Sequence, residues 1–135
     1  MTRYLNLAEY LRLAELAVGI EVKTLIGTSR LELADSALHA PGATFAGQEF
    51  YPDLYDKASV LACRLARNHP LFDVNKRAAW MALAMFLELN DGHFDPDPPN
   101  VDEAEVTMIA IAAHEVDEKW FAQWLRERVR FTKGR

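Results

Sequence analysis

Residues 54–89 read LYDKASVLACRLARNHPLFDVNKRAAWMALAMFLEL and contain two apolar helical patterns joined by a short polar stretch. In the first pattern apolar residues recur three or four positions apart, which is typical of a helix with one buried face. This face is formed by Leu54, Ala58, Leu61, Leu65 and Ala66. The second pattern runs from Asp73 to Leu89 and is apolar nearly all round, which only a buried position explains. We expect it to be the central helix of a bundle. The cations of the first helix are predicted to lie off its apolar face; they are Lys57, Arg64 and Arg67.

Two more helices are predicted on the N-terminal side of this pair. Asn6 can cap a helix whose apolar residues continue at helical spacing. Ser29 and Glu32 have the spacing of a capping box, which predicts a second, short helix that ends before Pro41. Residues 19–27 between them are ambiguous, because β-branched side chains disfavour a helix although the context is helical.

Glycine and proline mark the breaks between the remaining elements. Pro41 to Pro52 combines these residues with aromatic and β-branched ones, which predicts a loop or a two-stranded flap. Asn90, Asp91 and Gly92 end the central helix, and the prolines that follow predict an irregular surface loop. Two further helices are expected around residues 106–113 and 120–129, before a frayed tail.

Together these elements predict an all-α protein: a bundle of six to seven helices around a buried central helix, with a short β-hairpin-like flap. The 135 residues fit a single domain, 1–135. A lone cysteine, Cys63, excludes an intramolecular disulfide, suits a reducing compartment and is expected to be a small core residue. No apolar run is long enough for a membrane span. We therefore expect a cytoplasmic protein that does not bind a membrane.

The charge distribution argues against direct binding to nucleic acid but leaves one question open. The net charge is -5, whereas affinity for a phosphate backbone depends mainly on Lys and Arg. From Glu88 to Glu118 there are ten acidic residues and no Lys or Arg, and Lys119 to Arg135 then carries six basic residues. The basic segment could bind an acidic partner. The interpretation that we favour is a solvated helical face that balances the acidic stretch.

The polar stretch between the two best helices is His69-Pro70-Leu71-Phe72-Asp73-Val74-Asn75-Lys76-Arg77. It places a histidine, an acid, an amide and two cations at the start of an otherwise apolar helix. The first turn of a helix offers unpaired N–H groups and the positive end of the helix dipole, so it favours anions. Arg77 can hold phosphate oxygens with its planar fork and Lys76 adds a point charge, which suits a polyphosphate.

Two further side chains of this stretch match the needs of phosphoryl or nucleotidyl transfer. Asp73 could hold Mg²⁺, which usually binds one or two carboxylates together with substrate phosphates. A neutral His69 can take a proton from an incoming hydroxyl group near pH 7. A purely structural interpretation is also open, in which Asp73 caps the helix, Lys76 and Arg77 are solvated, and His69 bonds to the backbone.

The stretch resembles the signature of the Fic/Doc family, His-Pro-Phe-x-Asp/Glu-Gly-Asn-Gly/Lys-Arg, and resembles its Doc (death on curing) branch through Asn75-Lys76-Arg77. Lys76, directly after Asn75, is the residue that indicates the Doc branch. The resemblance extends over roughly residues 28–94. It includes Leu33-Ala34-Asp35-Ser36-Ala37-Leu38, Ala43-Thr44-Phe45-Ala46-Gly47 and Tyr51-Pro52, which look like the helix and flap of Doc-like toxins.

This resemblance implies a Fic fold and ATP-dependent modification of a protein hydroxyl, by phosphate transfer in Doc and commonly by AMP transfer in Fic enzymes. His69 would be the catalytic base and Asp73 the Mg²⁺ ligand. Asn75, Lys76 and Arg77 would bind the nucleotide phosphates, with Lys76 and Arg77 also contributing to catalysis. The flap around Phe45 and Gly47 would hold the target chain. The resemblance also implies a Phd-type antitoxin as partner, and elongation factor Tu as the target of Doc itself.

Three departures from the Fic signature favour the Doc-like branch. Leu71 replaces phenylalanine, Val74 stands where Fic enzymes have glycine, and Trp80 replaces the second arginine, which removes a phosphate ligand. The sequence thus predicts a toxin kinase that uses ATP and Mg²⁺ on a Ser or Thr of a translation factor. Two alternatives stay open: AMP transfer by a Fic-type enzyme, and a catalytically silent Fic-fold protein that acts by binding.

The other histidines and the C-terminal tryptophans give weaker evidence of a functional role. His39, His93 and His114 have no spacing that suggests a metal site. His93 could approach the nucleotide end of the pocket, although the sequence does not place it. Trp120 and Trp124 are four residues apart on one helical face, which is typical of core packing.

Overall fold

The computed structural model describes residues 1–19, 31–67 and 75–132. Its helices are α1 (Leu7–Val18), α2 (Leu31–His39), α3 (Leu54–Arg67), α4 (Asn75–Leu89), α5 (Val101–Ala112) and α6 (Glu118–Arg128). The strands are β1 (Thr44–Phe45), β2 (Gln48–Glu49), β3 (Gly92–Phe94) and β4 (Val129–Phe131), and a 3-10 turn spans Ala40–Gly42. The expected all-α fold class is confirmed. The ambiguous residues 20–27 and the predicted cap Ser29 lie outside the described residues.

Helices α3 and α4 pack against each other and form the centre of the bundle. Helix α3 also contacts α2, α5 and α6, and α4 also contacts α1 and α5. Both helices bury small side chains, which favour close packing, since Ala62, Ala66, Ala78 and Ala82 are fully buried. Cys63 is buried in the same region, as expected, and burial raises the pKa of its thiol to about 12.

Capping side chains fix where the outer helices begin. Asn6 and Glu9 form a reciprocal capping box at the start of α1, in which each side chain accepts the backbone N–H of the other residue. Asn100 caps α5 and Asp117 caps α6, where their side chains accept the N–H groups of Glu103 and Trp120. These polar caps satisfy helix N–H groups that otherwise lack a partner.

The C-terminal end differs from the predicted frayed tail. Strand β4 pairs antiparallel with β3, with Arg130 opposite His93, and this pairing continues the chain beyond α6 in an ordered form. Val129 is fully buried, which accounts for the stability of the pairing. The close contact with β4 leaves no room at Gly92, where an added Cβ would lie 2.7 Å from the Phe131 ring.

Two expectations about side chains were wrong. Trp124 is buried, as predicted, and its ring stacks on Phe121, but Trp120, on the same face in the first turn of α6, is 45% exposed. Lys57 was expected off the buried face of α3, yet only 1% of it is exposed. None of the helices in the described ranges has both the length and the apolar character needed to span a bilayer.

The basic residues near the C-terminus mostly engage the protein itself. Arg126 lies 3.1 Å from a carboxylate oxygen of Asp56. Arg128 pairs with Glu103 of the acidic stretch and lies over the Trp124 ring, 4.3 Å from its centroid. Within the part of the chain that the structure describes, this favours the interpretation that the basic segment balances the acidic one.

Asn90, directly after α4, ties the N-terminal segment to the bundle. Its buried side-chain oxygen accepts the Arg3 N–H at 2.8 Å, and its amide donates to the Arg3 carbonyl at 2.9 Å and to the Phe86 carbonyl at 2.8 Å. We expect Asn90→Ala to lower the free energy of unfolding by about 2 kcal/mol, because buried polar groups lose their partners. Urea denaturation measures this loss. Asn100→Ala, which removes only an exposed cap, should cost about 1 kcal/mol, and equal losses in the two variants would contradict the buried role of Asn90.

Candidate active site

The N-terminus of α4 places two cations at one end of the bundle. The helix is anchored by Ala78, Ala79 and Leu83, all fully buried, whereas Lys76 and Arg77 in its first turn are exposed. No carboxylate of the described ranges forms an ion pair with either cation. The first turn of a helix offers N–H groups that have no partner within the helix, and such a turn together with these two cations favours a bound anion.

The structure places only part of the sequence-predicted site. Lys76 and Arg77 lie together at the start of α4, and Asn75 is the first residue of this helix. His69, Leu71, Asp73 and Val74 lie outside the described residues, so their predicted roles stay predictions. Among the residues that are described, no group of three His, Cys, Asp or Glu side chains could hold a metal ion. His39 and His114 are exposed, and His93 is exposed in β3 opposite Arg130.

A groove of about 740 Å³ opens beside the two cations. It runs from the end of α1 past the first turns of α4 to the proline-containing loop and α5. Lys76 and Arg77 line it at α4, and Glu105 lines it at α5. Most of the remaining lining is apolar and includes Trp80, Met81, Pro98, Pro99, Met108 and Ile109.

Trp80 forms part of this groove wall, one turn after Arg77. Its ring stacks on Phe94 of β3 at a centroid distance of 5.5 Å and meets the Trp124 ring edge-on at 6.4 Å. The side chain that replaces a second signature arginine therefore packs against β3 and α6. The position contributes an apolar wall and no phosphate ligand.

Arg67 fixes the end of α3, immediately before the signature. Its Nε donates to the Ile111 carbonyl at 3.0 Å, and its guanidinium also donates to the Val116 carbonyl. Both carbonyls belong to the end of α5 and the turn that follows it. Arg67 was predicted only to lie off the apolar face, and it links the last residue of α3 to the α5–α6 connection.

The predicted flap is a hairpin of β1 and β2, in which Phe45 pairs with Gln48. The two turn residues, Ala46 and Gly47, have φ values of 51° and 79°. Positive φ at both turn positions is the pattern of a type I′ turn, which favours glycine at the second one. Gly47 thus has a clear local role in forming the turn.

The outer surface of the flap is aromatic. Phe45 is 72% exposed and Phe50 is 60% exposed, and their rings stack with centroids 6.4 Å apart. Two exposed aromatic rings side by side are an unusual surface for a water-exposed hairpin and are typical of a contact site. Phe45 was predicted as a target-binding residue of the flap and Phe50 was not, because the exposure of Phe50 depends on the hairpin geometry.

Comparisons with known proteins agree with this architecture. A model of the Fic/DOC family matches residues 4–87, which include α1 to α3, the signature and most of α4. The chain belongs to the Fic/DOC family, and the resemblance found in the sequence is thereby confirmed. It is similar to a protein of Mycolicibacterium smegmatis named Toxin Doc, with 40% identity over 117 residues that cover 87% of this chain and 86% of that protein.

Proposed function

We propose that this protein is a Doc-type toxin: an ATP-dependent kinase that phosphorylates a Ser or Thr hydroxyl of a target protein and thereby inhibits translation. The first target to test is elongation factor Tu. The observation that carries the proposal is the pair of exposed cations, Lys76 and Arg77, at the start of α4 with no paired carboxylate in the described ranges. The 40% identity to Toxin Doc supports the same branch of the family.

In the proposed reaction, each polar side chain of the signature has a role. His69 takes the proton of the target hydroxyl as the oxygen attacks the γ-phosphorus atom. The bond from this phosphorus to the oxygen that bridges the β- and γ-phosphates breaks, and ADP leaves with that oxygen. Lys76 and Arg77, with Asn75, orient the phosphates and balance their negative charge, which supplies most of the catalysis in such reactions.

Asp73 is the proposed ligand for Mg²⁺. Its carboxylate offers the hard oxygen donor that this ion prefers, and the phosphates of ATP supply further oxygens. When bound, the ion neutralises phosphate charge. The positive charges of Lys76 and Arg77 add to this neutralisation from the helix side.

The test of the proposed function is the intact mass of elongation factor Tu after incubation with this protein, Mg²⁺ and ATP. A gain of one phosphate group is the expected result. A gain of one AMP group would assign the protein to the nucleotidyl-transferring branch, and an unchanged mass would contradict elongation factor Tu as the target.

We further propose that a Phd-type antitoxin binds in the groove between α1, α4 and α5. One support is the largely apolar lining of the groove, in which Ile109 is 46% exposed. The other is that Lys76 and Arg77 line the same groove, so a bound antitoxin segment would block the phosphate site. Apolar grooves between helices are typical binding sites for amphipathic helices.

Ile109→Glu is expected to weaken antitoxin binding at least about tenfold, because it places a charge in the centre of the apolar contact. Isothermal titration calorimetry with a Phd-type antitoxin measures the change. Val106→Glu is the matched control, since Val106 is exposed on the same helix and does not line the groove. Unaltered affinity in Ile109→Glu would show that the antitoxin binds elsewhere.

A further inference from the structure

A buried lysine lies beneath the flap. Lys57 of α3 is 1% exposed, and in the described ranges no other side chain that carries a charge at neutral pH is buried to this degree. Lysine is almost never fully buried without a partner, because its ammonium group loses its hydration. The groups that bond to Lys57 therefore show which part of the protein its buried ammonium group holds in place.

The ammonium group of Lys57 bonds to two parts of the flap region. Nζ donates to Oε1 of Glu49 in β2 at 2.7 Å and to the Pro41 carbonyl in the 3-10 turn at 3.2 Å. It also lies 5.6 Å from the centroid of the Tyr4 ring. Desolvation lowers the pKa of Lys57, but the interactions with Glu49 and Tyr4 together outweigh it, so the pKa is raised and the side chain stays charged.

Within residues 1–19, 31–67 and 75–132, few other contacts fix the position of the flap. Each of its strands has two residues, and all four residues are exposed, so the hairpin contributes no side chain to the core. Backbone bonds hold the hairpin together, including one from the Phe50 N–H to the Ala43 carbonyl at 3.0 Å. A short hairpin without a buried face is marginally stable by itself. Its position relative to α3 thus depends strongly on the bond from Lys57.

We propose that Lys57 is a positioning residue for the protein substrate: through Glu49 and Pro41 it holds the flap, with the aromatic pair Phe45 and Phe50, where the target segment binds. This inference rests on the function proposed above. In the proposed reaction Lys57 does not touch the reacting groups. It affects the binding of the target protein instead.

The test uses three variants and one matched control. Lys57→Met keeps the length and removes the charge, Glu49→Gln removes the other half of the pair, and the double variant combines them. Glu103→Gln is the control, because Glu103 also pairs with a cation (Arg128), has the same 45% side-chain exposure as Glu49 and lies on α5, away from the flap. Hydrogen exchange of the flap amides and phosphate transfer to elongation factor Tu are measured for each.

Both single variants are expected to raise exchange in the flap, residues 44–50, about tenfold, since a charge-assisted hydrogen bond is lost. The KM for the protein substrate should rise about tenfold while kcat changes less than twofold. The double variant should add little to either single one, because both remove the same contact. The control should match the unmodified protein in both measurements.

Unchanged exchange in the flap would overturn the proposal, and so would faster exchange with an unchanged KM. If Lys57→Met does not fold, Glu49→Gln decides, since Glu49 is partly exposed and its loss leaves the core intact. If the unmodified protein transfers no phosphate, the proposed function is contradicted, and the exchange data alone then decide whether Lys57 anchors the flap.

Discussion

Replacing His69 with alanine is expected to lower the rate of phosphate transfer by about 10²- to 10⁴-fold. The reason is the loss of the group that takes the proton from the target hydroxyl. Without this base the attacking oxygen keeps its proton until late in the reaction, which raises the barrier. The remaining phosphate-binding groups stay in place, so ATP binding should change little. Single-turnover kinetics with elongation factor Tu measures the rate, and calorimetry measures the binding of ATP.

His39→Ala is the control for this variant. His39 lies on the surface of α2, and 78% of its side chain is exposed. The His39→Ala variant should transfer phosphate at the same rate as the unmodified protein. Full toxicity and full transfer activity in His69→Ala would contradict an enzymatic mechanism that depends on this base and would favour a protein that acts by binding.

Arg77→Ala is expected to lower the transfer rate by about 10²- to 10³-fold, with weaker ATP binding as well. Arg77 is exposed in the first turn of α4, where its planar fork can hold two phosphate oxygens as charge develops. Arg77→Lys keeps the charge without the fork, so it should recover only part of the activity. The folded stability should be preserved, because the side chain is not part of the core.

Arg12→Ala provides the comparison for Arg77→Ala. Arg12 is also an exposed arginine on a helix, so its removal changes the net charge by the same amount. Its transfer rate should equal that of the unmodified protein. Equal activities in Arg12→Ala and Arg77→Ala would show that the phosphates are not bound at the start of α4.

Helical periodicity was sufficient to predict most of the fold. The apolar stripes of α3 and α4 and the cap at Asn6 are local signals, and each produced the expected helix. The pairing of β3 with β4 was missed, because it joins residues about forty positions apart and each strand has three residues. The burial of Lys57 was missed for a related reason: its partners, Glu49 and Pro41, approach α3 only when the flap folds over it.

The residues of the site were predictable from the signature, whereas the shape of the surface around them was not. The signature from His69 to Arg77 predicts its chemistry through a resemblance to the Fic/Doc family, and membership of that family is confirmed. The groove beside Lys76 and Arg77 has no such signal, because α1, the proline-containing loop and α5 meet there only in three dimensions. The aromatic surface of Phe45 and Phe50 likewise depends on the turn at Gly47.

The most direct test of the proposed phosphate transfer is to incubate this protein with elongation factor Tu, Mg²⁺ and ATP labelled either at the γ-phosphate or at the α-phosphate. We expect label on the target only from the γ-labelled nucleotide, and none when His69→Ala replaces the unmodified protein. Label from the α-labelled nucleotide would contradict phosphate transfer and show that AMP is the group transferred.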